Sequence, residues 1–394
     1  MTVCGIIAEF NPLHNGHAHL LKQARILTGA DYLVVVMSGD FMQRGEPACM
    51  DKYCRTKLAI AAGADAVFEL PSCIATGSAQ YFARGAVAAL DALGIVDYLC
   101  FGSESGNLEE LRQKADSFEF SQDGKCLDTH SRISGNRTSL ELSNNILAME
   151  YLKALRYFNS KIKPVTIRRE TGYYEQCSAF DLRNRMKQNT SATFSSVLSG
   201  MVPEYTLPFI KEYYETHRFL DFDDLSDLLF YRLLQSDKED LVQYFDIYPD
   251  LAAKICNGFH TVRPALASAF REQLKSREIA FSHISRALLH IVLSSKTSDV
   301  DLLKAHNYCA YLRLLGFCES SRPLMQEIKK NAKKQIVTKL ADAGNILSEE
   351  QLSLFNKDLF ASDLYEQLSV KNKKTATIPG EYRQPVIISS HNSN

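Results

Sequence analysis

Five short apolar runs constrain this chain more than any other feature: Val3–Ala8, Tyr32–Met37, Ala66–Leu70, Tyr98–Phe101 and Pro164–Ile167. They lack the polar alternation of a half-exposed strand, and a strand reads that way when both of its faces are buried. Between them lie stretches with apolar residues at helical spacing. These are His17–Leu27 (through Leu20, Leu21, Ala24 and Leu27), Lys52–Ala62, Tyr81–Leu93, Asn145–Phe158 and, last, Ala179–Met186 with Ser178 as its cap. Pro71 ends the third run and Gly102 the fourth. The βα alternation predicts an α/β fold, a doubly wound parallel sheet with helices on both faces.

Beyond about residue 190 the strand signal fades. Amphipathic helical patterns take over at Phe209–Thr216, Leu225–Leu234, Asp250–Asn257, Ala265–Ser276, Ser282–Leu293 and Asn307–Leu315. A chain of 394 residues has room for two domains at about 100–200 residues each. We therefore expect a catalytic unit over 1–190, a mostly α-helical domain over 191–370 and a loosely docked polar tail over 371–394. Phe118–Asn136, polar and without period, is expected as a surface loop.

Net charge is −1, so no whole-chain basic field draws in nucleic acid, although a local patch can. The 10 cysteines include no Cys-x-x-Cys pair, which argues for free thiols in a reducing compartment and for no metal site. The N-terminal apolar run is too short for a signal peptide, and no stretch approaches the roughly 20 apolar residues of a membrane span. The expected location is the cytoplasm.

The chemistry concentrates in Phe10-Asn11-Pro12-Leu13-His14-Asn15-Gly16-His17, between the first strand and the first helix. Pro12 fixes a turn and Gly16 lets backbone approach a ligand. His14 and His17 stand at the mouth of a helix whose N–H groups favour phosphate. Two imidazoles there can hydrogen-bond a triphosphate and stabilise charge that builds on it. The bland reading is a histidine-rich helix cap. A second polar stretch, Met37-Ser38-Gly39-Asp40-Phe41-Met42-Gln43-Arg44-Gly45-Glu46-Pro47-Ala48, follows the second strand and faces the same sheet edge. Asp40 can hold a substrate amine or a metal-bound water, and Arg44 an anion; the bland alternative is a solvated loop.

His-Asn-Gly-His resembles the signature of the HIGH nucleotidyltransferase superfamily. With the second stretch, and with Glu69-Leu70-Pro71, Ala79-Gln80-Tyr81-Phe82-Ala83, Phe101-Gly102-Ser103-Glu104 and Asn144-Asn145-Ile146-Leu147-Ala148, the chain resembles the bacterial tRNA(Met) cytidine acetate ligases. The likeness is dense to about residue 190 and thinner beyond. It implies a Rossmann-like sheet of the HIGH type. It also implies activation of acetate by ATP to acetyl-adenylate, then acetylation of N4 of the wobble cytidine of elongator tRNA(Met), with Mg²⁺ as the ion on ATP. The implied ATP site comprises Ile7, Ala8, Glu9, Phe10, Asn11, Pro12, Leu13, His14, Asn15, Gly16, His17, Ala18, His19, Leu20, Gly102, Asn144 and Arg169. Asn144 and Arg169 each have an identical neighbour, Asn145 and Arg168.

Ser178 and Arg183, in Ser178-Ala179-Phe180-Asp181-Leu182-Arg183, resemble a phosphate-clamping element of the superfamily. Phe180 replaces the usual Thr, and Tyr173-Tyr174-Glu175 departs from the family pattern before it. Tyr173 and Tyr174 are candidates to line a pocket for an unstacked base. The proposed catalytic set is His14, His17 and Asp40, with Asp40 orienting or deprotonating the acceptor amine. The helical half, with basic clusters such as Lys329-Lys330 and Lys333-Lys334, is expected to meet the tRNA. Two alternatives stay open at this point: a small-molecule adenylyltransferase, and a non-catalytic nucleotide- or RNA-binding relative. Oligomeric state is not legible.

Overall fold

The computed structural model describes residues 1–117, 143–169, 179–188, 194–276, 279–371 and 380–390. The loop expected at Phe118–Asn136, the cap Ser178 and the pair Tyr173 and Tyr174 lie outside these residues. The five apolar runs are strands β1 (Val3–Ala8), β2 (Tyr32–Ser38), β3 (Ala66–Leu70), β4 (Tyr98–Ser103) and β5 (Lys163–Arg168). They pair in parallel, in the order β5-β4-β1-β2-β3. Gly102 does not stop β4, which continues in register with β5 through Ser103.

The chain leaves β1 toward β2 on one side and reaches β4 on the other, so the carboxyl ends of β1 and β4 form the switch point where open α/β sheets bind ligands. Helix α1 (Asn15–Thr28) and helix α2 (Lys52–Ala61) cover one face, burying Leu21, Ala24 and Leu58 against Cys4, Ile6 and Val35. Helices 79–92 and 143–157 cover the other, with Phe82, Val87, Ala148 and Leu152 against Val34, Val36 and Leu99.

The second half departs from the expected plan. Helices 207–216, 226–235, 249–261, 267–273 and 281–293 form largely where helical spacing places them. Most of them share a separate core with Leu229, Leu251, Phe270 and Leu288, into which Phe41, Met42 and Ala48 of the loop after β2 insert. Asn307–Leu315, however, is no helix. Asn307 and Tyr308 turn the chain at positive φ, and Leu312–Cys318 becomes β6, antiparallel to β3. Tyr308, Tyr311, Leu312 and Leu315 mimic a helical stripe, but all are buried, and spacing alone does not separate a buried strand from a buried helix.

Two further strands extend the sheet, β7 (Ile336–Val337) and β8 (Ile387–Ser389), both parallel to β6. Part of the expected loose tail is therefore sheet, and the sheet itself is not confined to residues 1–190. The longest helix among the described residues, Glu349–Ser369, gave no sequence expectation and braces the β3–β6 side. No helix among the described residues is long and apolar enough to cross a membrane, and the cysteines among them are free thiols.

Candidate active site

The site begins where β1 ends. Phe10 turns the chain at φ 47°, the Asn11–Pro12 peptide is cis, and α1 starts at Asn15. His14 is the N-cap of α1: its Nδ1 accepts the Gly16 N–H at 3.0 Å, while His17 Nδ1 accepts the His14 N–H at 3.3 Å. Capping normally falls to Ser, Thr, Asp or Asn; here two stacked imidazoles, with centroids 3.8 Å apart, do it reciprocally. The capping reading and the ligand reading are thus compatible. An imidazole accepting at Nδ1 carries its proton on Nε2, so each ring keeps one N–H donor.

Both rings are held neutral. Burial, with the nearby Arg169 charge, pushes His14 down to about 4. Burial, His14 and Arg169 take His17 well below the usual imidazole range, against a pull from the Pro12 carbonyl.

Arg169 resolves one ambiguity. Its side chain lies over Gly102, where an added Cβ would meet Arg169 Cγ at 3.5 Å, whereas Arg168 packs against Gly106. Arg169 is the residue whose charge reaches the histidines. The asparagine pair also separates. Asn145 is buried and its Oδ1 accepts the Glu104 N–H at 2.9 Å. Asn144 is only partly buried, and its Nδ2 donates to Glu104 Oε1 at 2.6 Å. Arg183, from the helix Ala179–Gln188, donates to the Asn11 carbonyl at 2.8 Å, so the late helix closes on the first turn.

Not every residue of the stretch 7–20 is available. Phe10 and Leu13 are 0% exposed and belong to the core; they shape the turn, and Phe10 meets the His17 ring edge-on at 5.2 Å. Pro12 is also buried. Asn15 spends its Nδ2 on the Gly200 carbonyl at 2.8 Å. Ile7 lies in the core, whereas Ala8, Glu9, Asn11, Gly16, Ala18, His19 and Leu20 keep partial exposure.

Asp40 is held within the protein. It is 5% exposed, its Oδ1 accepts the Lys52 N–H at 2.7 Å, and its Oδ2 lies 3.8 Å from Lys52 Nζ. Burial pushes its carboxyl up to about 7 against the pull of Lys52 and Arg55. Its two carboxylate oxygens thus face Lys52, and Arg55 lies 3.9 Å from Oδ1. Arg44, from the same loop, is exposed and its charge reaches Glu9.

Residues 1–378 match the family model described as HIGH Nucleotidyl Transferase. A tRNA(Met) cytidine acetate ligase of Thermoanaerobacter sp. (strain X514) is 34% identical over 98% of this chain and 100% of the relative. The enzyme of that name from Clostridium acetobutylicum is 31% identical over the same shares. The chain belongs to the tRNA(Met) cytidine acetate ligase family. Among solved structures, Thermotoga maritima TmcAL bound with alpha-thio ATP superposes with a TM-score of 0.87 at 27% identity, covering 99% of this chain and 100% of that one.

The geometry adds a residue given no role from sequence. Arg55, 0% exposed on α2, donates through Nη1 to the carbonyls of Glu9 (2.8 Å) and Ser38 (3.0 Å), through Nη2 to that of Gly39, and through Nε to that of Met50 (2.9 Å). One guanidinium thus ties the end of β1 to the end of β2. Its signal in the sequence is the pair Lys52 and Arg55 in the first turns of a helix that ends in the apolar run Leu58–Ala61, a setting for buried, paired cations. Asp51, His217 and Glu366 also converge, with ligand-type atoms within 4.8 Å of one another. There His217 Nε2 already pairs with Glu366 Oε1 at 2.8 Å and Asp51 caps the Cys54 N–H at 2.6 Å, which accounts for the group as an ion-paired junction of three helices.

Proposed function

We infer that this protein is an ATP-dependent tRNA cytidine acetate ligase whose reaction is run from the His14–His17 turn. The observation that carries the reading is the pair of neutral, stacked imidazoles at the N-terminus of α1, with Arg169 and Arg183 beside it. Neutral rings with N–H donors fixed at a helix N-terminus fit a polyphosphate, because they offer hydrogen bonds and need no reorganisation as charge moves toward the leaving group. Ala8, Glu9, Asn11, Gly16, Ala18, His19, Leu20, Gly102 and Asn144 border the nucleotide in this reading. Arg169 and Arg183 supply the positive charge. Glu104 sets Asn144 and the start of helix 143–157 in place.

In the first half-reaction an acetate oxygen attacks the α-phosphorus in line, and pyrophosphate leaves. The protein supplies mainly alignment and charge stabilisation. In the second, the N4 amine of the cytidine attacks the acetyl carbon and AMP leaves. Mg²⁺ neutralises phosphate charge when bound. The described residues offer the phosphates N–H donors and arginines, which suits an ion that arrives on the nucleotide with water as its other ligands. Elongator tRNA(Met) is the acceptor we propose, with the helical half as its support and the cytoplasm as its setting.

The test is incubation with ATP, Mg²⁺, labelled acetate and elongator tRNA(Met), with nucleoside analysis. N4-acetylcytidine is expected, together with acetate-dependent pyrophosphate exchange in the absence of tRNA. Exchange that ignores acetate and requires a phosphorylated metabolite instead would overturn the reading.

A further inference from the structure

Four carboxylates among the described residues stand at the carboxyl edge of the sheet near the histidine turn or directly beneath it: Glu9, Asp40, Glu69 and Glu104. Three are committed. Asp40 holds the Lys52 N–H and lies against Lys52 Nζ. Glu69 takes Lys52 Nζ at 2.9 Å on Oε1 and Arg313 Nη1 at 2.8 Å on Oε2. Glu104 receives Asn144 Nδ2 on Oε1 and the Asn145 N–H, at 2.9 Å, on Oε2.

Glu9 differs. Its Oε1 accepts the Gln43 N–H at 2.7 Å and the Ser38 hydroxyl at 3.4 Å. Among the described residues no hydrogen bond reaches its Oε2, and the residue is only partly buried. The side chain is therefore aimed by one oxygen and open at the other. Its own carbonyl is held by Arg55 at 2.8 Å, so the backbone that carries it is fixed as well.

We propose that Glu9 is the general base of acetyl transfer, its Oε2 taking the proton from the acceptor amine; this rests on the ligase reading given above. The exocyclic amine of a cytosine is a poor nucleophile because its lone pair is delocalised into the ring. When N4 attacks the acetyl carbonyl carbon of acetyl-adenylate, a C–N bond forms and the C–O bond to the phosphate breaks. AMP leaves with the electron pair, and the N4 proton passes to Glu9 and from there to solvent.

The charges around Glu9 suit that role. Arg44 faces it from the loop after β2, Arg55 from α2 and Arg183 from the helix 179–188, and the Tyr151 hydroxyl from the helix 143–157 feels its charge. Burial outweighs the three arginines and raises its pKa above the usual carboxylate range, toward the value at which a base is most effective near neutrality.

The deciding experiment uses Glu9→Gln, which keeps the Oε1 that accepts the Gln43 N–H and removes the basicity. Two half-reactions are read separately: acetate-dependent ATP–pyrophosphate exchange without tRNA, and transfer from preformed acetyl-adenylate to elongator tRNA(Met). Because Glu9 also borders the nucleotide, exchange is expected to fall modestly, while transfer is slowed by about 100-fold, at least tenfold more than exchange. The low-pH limb of the parent transfer profile, where the base becomes protonated, is lost in the variant.

Equal loss in both half-reactions, or unchanged transfer, overturns the proposal. If Glu9→Gln does not fold, Glu9→Asp decides. It must keep the low-pH limb while slowing transfer at least tenfold more than exchange, and any other pattern counts against Glu9. A parent enzyme without acetate-dependent exchange fails the ligase reading itself, which separates that failure from this one.

Discussion

Two polar regions share one edge of the same sheet and are built on opposite plans. At the ends of β1 and β4 the side chains are neutral imidazoles, partly exposed carboxylates and mobile-length arginines around an open turn. A short distance along, beneath the ends of β2 and β3, Lys52, Arg55 and Arg313 are enclosed with Asp40, Glu69 and Glu381. Lys52 Nζ meets Glu69 at 2.9 Å and Glu381 at 2.6 Å, and Arg313 meets both carboxylates as well. Among the described residues the first region leaves part of its hydrogen-bonding capacity open, as at Glu9 Oε2. The second spends nearly everything on itself, and through Arg55 it fixes the carbonyls on which the first is mounted. Charge alone therefore does not mark a site; unspent hydrogen-bonding capacity does.

The comparison breaks most visibly at Lys52. Lys52→Met leaves Glu69, Glu381 and Asp40 short of a cation in a closed space, and breaking a buried pair from one side costs about 3–5 kcal/mol. Urea unfolding followed by circular dichroism should show a loss of that size. A loss below about 1 kcal/mol would mean that water reaches the cluster and that the two regions are less distinct than their burial implies.

The opposite signature is expected at His17. If the proposed reading holds, His17→Ala removes a phosphate donor, and losing one such donor costs on the order of 10²–10³ in rate, read as acetate-dependent pyrophosphate exchange. Its stability cost is that of one capping contact, about 1 kcal/mol. A variant that loses stability heavily but keeps exchange would return the histidines to a capping role only.

Acid sharpens the contrast from another direction. His14 is neutral in the fold with a pKa pushed down to about 4, against about 6.5 in an unfolded chain. The unfolded chain therefore takes up a proton first as pH falls. Stability is full above about 6.5 and declines toward pH 4, by at most roughly 3 kcal/mol from this group. His17, lowered in the same direction, adds to the slope. His14→Asn retains a capping oxygen without the titration and should flatten the decline of the unfolding free energy over that window.

What the sequence disclosed follows the range of the interactions involved. The first five strands are local patterns, and their order follows from short right-handed connections. The histidine turn was legible as a local motif, and the structure brings Arg169 and Arg183 beside it. β6 was not legible, because Leu312–Cys318 carries an apolar spacing that fits either period and its partner β3 lies far back in the chain. Glu381 was hidden for a related reason: within a polar tail nothing shows that Lys52 and Arg313 will surround one of its carboxylates. The enclosure of Asp40 by Lys52 and Arg55 was not legible either, because residue type and loop position show nothing of a tertiary contact.

Asp40→Asn is the smallest effect and the most discriminating. The amide oxygen can still accept the Lys52 N–H, so the loop keeps its brace, and what disappears is a carboxyl that burial has raised to about 7. An acid whose folded pKa lies above its unfolded value, about 3.9, holds its proton longer in the fold. It therefore lowers stability as pH rises from about 4 to about 7. Against that, the variant gives up contacts to Lys52 at 3.8 Å and to Arg55 at 3.9 Å. The two terms oppose, so the net change at pH 7 should stay within about 1 kcal/mol. It should move in favour of the variant between pH 5 and pH 8. Acetylation of tRNA should stay within threefold of the parent. A loss near 100-fold confined to acetyl transfer would instead make Asp40 the base, return the enclosed cluster to the catalytic apparatus and remove the distinction between the two regions.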